Sequence, residues 1–123
     1  MPQDPSPPRS ILVVEDDCIV RLVAAGMLED AGFSVLEAGT ADEAMTILED
    51  TPGITALVTD IDMPGTLDGL ALADRVSARW PHIRLVVTSG GRDLRDADVP
   101  DDGRFLPKPY RRSQLLKAIE AAA

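Results

Sequence analysis

Five short hydrophobic runs, separated by longer segments of helical period, leave this chain of 123 residues few folds to choose from. The runs cover residues 11–14, 33–36, 54–59, 84–88 and 104–106. Near-continuous apolar stretches of this length, bounded by turn residues, suit strands buried on both faces, and their alternation with helical segments is the pattern of βα units around a parallel sheet. Asp17 is placed to cap a helix running to about residue 31, with Ile19, Val20, Val23, Met27 and Leu28 as its buried stripe and Gly32 closing it. Thr40 is placed to cap a second helix with Ala44, Ile47 and Leu48 inward, stopped by Thr51-Pro52-Gly53. A third helix is expected over residues 69–80, with Leu70, Leu72, Ala73 and Val76 apolar and Pro81 ending it; a last one is expected over 113–122, packing on Leu115, Leu116 and Ile119. The fold class expected is therefore α/β, a doubly wound five-stranded parallel sheet. One unit breaks the pattern. Between Gly91 and Arg104 the only sizeable apolar residues are Leu94 and Val99, and Pro100 pushes Val99 out of helical geometry, so two turns of helix at most are expected there.

Composition narrows the class further. Hydrophobic residues make up 45% and charged residues 27%, the balance of a globular domain, and no apolar stretch approaches the roughly 20 residues that span a bilayer. Residues 1–9 hold four prolines and no apolar core, which reads as a disordered lead-in rather than a secretion signal. Cys18 is the only cysteine, so an internal disulfide is impossible and a reducing cytoplasmic setting is expected. A net charge of −9 argues against direct binding to nucleic acid. A single domain over residues 10–123 is expected, with neither a repeat nor a second domain, and only alanines after the last helix.

The chemistry gathers where the runs end. The first runs into Glu15-Asp16-Asp17, the third ends in Asp60-Ile61-Asp62-Met63-Pro64-Gly65, the fourth in Thr88-Ser89-Gly90-Gly91, and the fifth leads into Pro107-Lys108-Pro109. The second ends in Glu37-Ala38-Gly39, with nothing reactive. Ligands of open parallel sheets bind beyond the carboxyl ends of the strands, so these four positions are placed to meet in one pocket. Glu15, Asp16 and Asp60 side by side would repel, and some would take up protons unless a cation were present. Mg²⁺ suits such a group, since it takes a few carboxylates together with waters and phosphate oxygens. One carboxylate could then stay ionised as a nucleophile toward a phosphoryl group, with the Thr88 hydroxyl and the Lys108 ammonium directed at its oxygens. Ser89 and Gly90-Gly91 are small and leave room for that group to enter. Each fragment alone is an ordinary loop; their joint occurrence, in the right order at the right strand ends, is what carries the reading.

Ile11-Leu12-Val13-Val14-Glu15-Asp16-Asp17, Asp60-Ile61-Asp62-Met63-Pro64-Gly65, Thr88-Ser89-Gly90 and Lys108-Pro109 together resemble the receiver domain of bacterial two-component response regulators. The resemblance covers residues 10–122 and implies a flavodoxin-like sheet of strand order 2-1-3-4-5. It implies that Asp60 accepts a phosphoryl group from the histidine of a kinase or phosphotransfer protein. Asp16 and Asp60 would bind Mg²⁺ directly, Glu15 would act through water, and Asp62 would contribute its backbone carbonyl. Thr88 and Lys108 would hold the phosphoryl oxygens, Thr88 and Phe105 would form the switch, and Lys108-Pro109 would be a cis peptide. The implied output is a protein contact on the face of the fourth helix, fifth strand and last helix. The implied protein is a phosphoacceptor with self-catalysed phosphorylation and dephosphorylation only, of the stand-alone type, a monomer or weak homodimer.

Three departures from the family pattern matter. The loop after Asp60 reads one residue longer than usual; Phe105 lacks the hydroxyl of the tyrosine often found there; and the weak fourth helix puts the usual output face in doubt. Two other functions compete. Asp60-x-Asp62 after a strand also occurs in haloacid dehalogenase-type phosphohydrolases, but there it follows the first core strand and comes with a cap and further acids. A receiver-like module that binds partners without phosphate is the other, and the intact set of site residues argues against it. Trp80 is expected to cover the end of the third helix, His82 to be a loop residue rather than a phosphodonor, and Cys18 to pack.

Overall fold

Strand β1 (Ser10–Val14) lies between β2 (Ser34–Ala38) and β3 (Ile54–Asp60), and β4 (Arg84–Ser89) and β5 (Arg104–Pro107) follow on the β3 side. All pairings are parallel, and the order is β2-β1-β3-β4-β5. The computed structural model describes residues 10–63, 67–91 and 94–122. The lead-in over 1–9 and the added length of the loop at 64–66 lie outside the described residues. Helices α1 (Cys18–Asp30), α2 (Ala41–Asp50), α3 (Gly69–Arg79) and α4 (Arg112–Ala121) cover the two faces.

The alternation of side chains along each strand builds two cores. Leu12, Val14, Leu57, Leu85 and Val87 face α2 and α3, meeting Ala44, Leu48, Leu72 and Val76. Ile11, Val13, Ala56, Val58 and Val86 face the other way, meeting Ala24 and Leu28 of α1 and Leu115 and Ile119 of α4. Central strands need apolar residues at every position for this reason, which is why the runs are continuous rather than alternating.

Helix starts follow their caps. The Asp17 carboxylate accepts from the amides of Ile19 (2.9 Å) and Val20 (3.1 Å), the Thr40 hydroxyl from Glu43 (3.1 Å), and Asp68 from Ala71 (2.9 Å). At α4 the Gln114 side chain accepts from the Arg111 amide at 2.7 Å. The buried stripe of α1 differs from the one expected. Ala24, Ala25 and Leu28 are its buried residues, whereas Ile19 is 70% and Val23 52% exposed. Apolar side chains encircle most of this helix, so periodicity does not single out one face; the small alanines lie where the helix meets the sheet. Cys18 is exposed rather than packed.

Between β4 and β5 the described residues hold a single 3₁₀ turn, Asp96–Asp98, where the other units carry α-helices. Val99 is buried beneath it. Gly103 is required there because a Cβ would stand 2.6 Å from the carbonyl oxygen of Leu85. Two carboxylates organise the turn: Asp98 accepts from the Arg95 amide (2.9 Å), and Asp96 accepts from the Phe105 amide of β5 (2.9 Å) while pairing with Arg104 (3.5 Å). Asp96→Ala is expected to cost about 1 kcal/mol, since the bond is charge-assisted but partly solvated. Urea unfolding measures that loss, and faster hydrogen exchange at the Phe105 amide assigns it to this contact.

Candidate functional site

The sheet register aligns the polar strand ends. Asp60, the last residue of β3, is paired with Thr88, and Ser89 with Pro107. Val14 is paired with Thr59, so Glu15 and Asp16 continue beyond the sheet beside Asp60. The Lys108 amide donates to the Ser89 carbonyl at 3.0 Å, extending the β4–β5 ladder by one step and bringing the Lys108 side chain to the same edge. Glu15 is fixed similarly: its amide donates to the Ala38 carbonyl at 3.0 Å, and the Arg21 guanidinium donates to its carbonyl at 2.8 Å while pairing with Glu37 at 3.2 Å.

Carboxylate oxygens of Glu15, Asp16 and Asp60 lie within 4.8 Å of one another. Glu15 and Asp60 are buried and Asp16 is exposed, so the cluster opens to solvent on the Asp16 side. The Lys108 ammonium reaches between the two buried acids, donating to Glu15 Oε1 and standing 3.4 Å from Asp60 Oδ1. Burial pushes the Glu15 carboxyl above its ordinary value of 4.5; the hydrogen bonds from Lys108 and from the Asp17 amide pull it back, and the Asp60 charge adds to the push. Burial pulls the Lys108 ammonium down, but the Glu15 hydrogen bond and the Asp60 and Glu15 charges outweigh it, and the net shift is upward. The lysine is therefore a fixed positive charge held by two acids. These carboxylates fit a hard divalent cation: three oxygen donors at one point, and a buried glutamate resisting ionisation beside another acid.

Asp60 Oδ1 also accepts from the Asp62 amide at 3.3 Å. The Asp62 carboxylate is outside the acidic cluster, where it accepts the Ser89 hydroxyl at 2.8 Å. Thr88 is buried next to Asp60 in register, and its carbonyl accepts the Ile61 amide at 2.9 Å. Phe105 stands across from Val87, half-buried against the core on the α2–α3 side. The Lys108–Pro109 peptide is cis. Beyond it Tyr110, whose hydroxyl burial pushes above its ordinary value of 10.0, lines an apolar groove with Ile19, Val20, Val23 and Met27 of α1. His82 and Trp80 lie far from this edge, in the turn before β4; the Arg79 guanidinium stacks 4.5 Å over the Trp80 ring.

Sequence patterns left the roles of Ser89, Arg21 and Tyr110 unread. The only cue for Ser89 was its place after Thr88, where small size alone was noted. Arg21 acts on a backbone carbonyl through a fold contact, and no motif marks that.

A doubly wound sheet of order 2-1-3-4-5 with acids and a lysine at its carboxyl edge defines a flavodoxin-like α/β protein whose ligand meets the strand ends. The family model of the response regulator receiver domain matches residues 11–120, and the chain belongs to that family. It is a receiver module of two-component phosphorelay signalling, not a classical enzyme. It is 32% identical over 115 residues to the response regulator receiver protein CpdR of Brucella abortus, covering 91% of this chain and 94% of CpdR. It is also 32% identical over 115 residues to the sensor kinase CckA of the same organism, where 90% of this chain spans 12% of the relative. The crystal structure of a response regulator receiver protein from Sinorhizobium medicae superposes with a TM-score of 0.83 at 31% identity, covering 92% of each chain. No helix among the described residues is long and apolar enough to cross a membrane.

Proposed function

We propose that Asp60 is the phosphoacceptor, taking a phosphoryl group from a histidine of a kinase or phosphotransfer protein. The observation that carries this is the pairing of one buried, strand-terminal carboxylate with two neighbouring acids and an ammonium 3.4 Å away. A carboxylate oxygen of Asp60 attacks phosphorus, the P–N bond breaks with its electron pair returning to the imidazole, and an acyl phosphate remains on Asp60. Lys108 would exchange part of its hold on Glu15 for the arriving phosphoryl oxygens, and Thr88, at the adjoining strand end, would donate its hydroxyl to another. Mg²⁺ held by Asp16, Asp60, the Asp62 carbonyl and, through water, Glu15 would neutralise the clustered acids and the phosphoryl oxygens. Thr88 and Phe105, one register step apart on neighbouring strands, would form the switch that alters a partner-binding face. The exposed Ile19 and Val23 line an apolar groove together with Lys108 and Tyr110, which favours this groove as the docking face of the phosphodonor.

Incubation with acetyl phosphate and Mg²⁺ tests the reading. One phosphoryl group per chain is expected by intact mass, labile to base and mapped to Asp60; rapid hydrolysis of small phosphate esters instead would favour a phosphohydrolase, and inertness a phosphate-independent binding module. A second measurement concerns the metal alone. Mg²⁺ at about a hundred times its Kd is expected to add about 2.7 kcal/mol of stability, because it binds only where the fold has gathered the acids. Thermal unfolding with and without Mg²⁺ measures this, and Asp16→Ala should lose most of the increment.

A further inference from the structure

Ser89 is a buried hydroxyl that the phosphoacceptor chemistry above does not use. It is 1% exposed at the end of β4, where its hydroxyl donates to Asp62 Oδ2 at 2.8 Å and accepts from the Gly91 amide at 3.2 Å. An ionised carboxylate only accepts, so the serine proton is directed at Asp62, and the Gly91 amide engages the oxygen's lone pairs. The bond joins the segment after β3 to the end of β4, next to the end of β3 that carries Asp60.

We propose that Ser89 is a positioning residue for phosphoryl transfer, acting through Asp62 on the Asp60 carboxylate. The link is a short chain of contacts. Ser89 holds the Asp62 side chain; the Asp62 amide donates to Asp60 Oδ1 at 3.3 Å; and Lys108 stands 3.4 Å from that same oxygen. Both contacts on Oδ1 bear on the rotation of the carboxyl group, and that rotation decides which lone pair faces an incoming phosphorus. The amide contact is already at the long end of a hydrogen bond, so a shift of a few tenths of an ångström in Asp62 would lose it. Misplacement on the ångström scale at a reacting atom costs up to about a hundredfold in rate. The anchor on Ser89 is charge-assisted and buried on the serine side, so it restrains the Asp62 side chain.

This rests on Asp60 being the acceptor, and the test separates the two. Labelling rates with acetyl phosphate at saturating Mg²⁺ are measured for the wild type, Ser89→Ala, Asp62→Ala, the double variant and Ser89→Thr. Ser89→Ala and Asp62→Ala are each expected to slow labelling about tenfold, and the double variant no further, because both break the same link. Ser89→Thr keeps the hydroxyl, so it is expected within about threefold of the wild type. In metal-free protein the Asp62 amide should exchange faster in Ser89→Ala, with the unfolding midpoint little changed. Asp62 is exposed, so its variants carry the test if the buried serine variant folds poorly. Wild-type labelling by Ser89→Ala and Asp62→Ala, or losses that multiply in the double variant, would overturn the positioning role alone. A wild-type protein that takes no label on Asp60 would overturn the acceptor assignment and this role with it.

Discussion

Asp60→Asn is expected to abolish phosphoryl labelling, by a factor of at least about a thousand, while leaving the fold intact. The substitution is nearly isosteric, so the β3 terminus and its pairing with Thr88 survive. What disappears is the anionic oxygen; a carboxamide neither attacks phosphorus at a useful rate nor holds a hard cation comparably. Stability should hold or rise in metal-free protein, because one of three mutually repelling acids becomes neutral while Lys108 keeps Glu15 as a partner. Intact-mass labelling and thermal unfolding read the two halves separately. A variant that labels at the wild-type rate would place the acceptor elsewhere; one that fails to fold would mean that the Asp60 charge is structural.

Gly69→Ala is expected to be the most destabilising small substitution in the neighbourhood of the site. Gly69 opens α3, and its amide donates to the Ile61 carbonyl at 3.2 Å. A Cβ there would stand 2.7 Å from the Asp60 carbonyl carbon and 2.8 Å from Ile61 Cα, with the Asp60 carbonyl oxygen nearer still. These are backbone atoms at the end of a central strand, so no rotamer change relieves the overlap. Either the helix start withdraws and loses its bond to Ile61, or β3 shifts and moves Asp60. A loss on the order of 3 kcal/mol is expected, with slower labelling in whatever folds. Gly26→Ala is the internal control. It lies within α1 with nothing within 4 Å of the added carbon, and it should stabilise by up to about 1 kcal/mol. Urea unfolding of the two variants should therefore move in opposite directions; equal shifts would mean that the close approach at Gly69 relaxes without cost.

What could be read from the sequence, and what could not, divides along a physical line. β1, β3 and β4 were legible because a strand buried on both faces must be apolar at nearly every position. Glu15, Asp16, Asp60 and Lys108 were legible because each follows such a run directly, and strand ends converge whatever the helices do. The buried face of α1 was not legible, since Ile19, Val20, Leu22 and Val23 compete with Ala24, Ala25 and Leu28 for one sheet-facing stripe. The site's tuning escaped for another reason. Arg21 on the Glu15 carbonyl and Ser89 on Asp62 join positions 6 and 27 residues apart through single hydrogen bonds, which impose no period and need no particular neighbour in sequence. The weak fourth unit was legible as a failure of helical pattern, but not as the carboxylate-built turn that replaces the helix.

That turn also decides how the sheet ends. Lys108 donates toward β4, so alternation sends Phe105 and Pro107 outward along the far edge of β5. The Phe105 amide is already taken by Asp96, and Pro107 has no amide proton to give. A neighbouring chain seeking to add a sixth strand alongside β5 would find no main-chain donor at either position. The sheet is closed on that side by one aspartate and one proline rather than by a helix laid across it. A strand added there would have only carbonyls to pair with at these two positions.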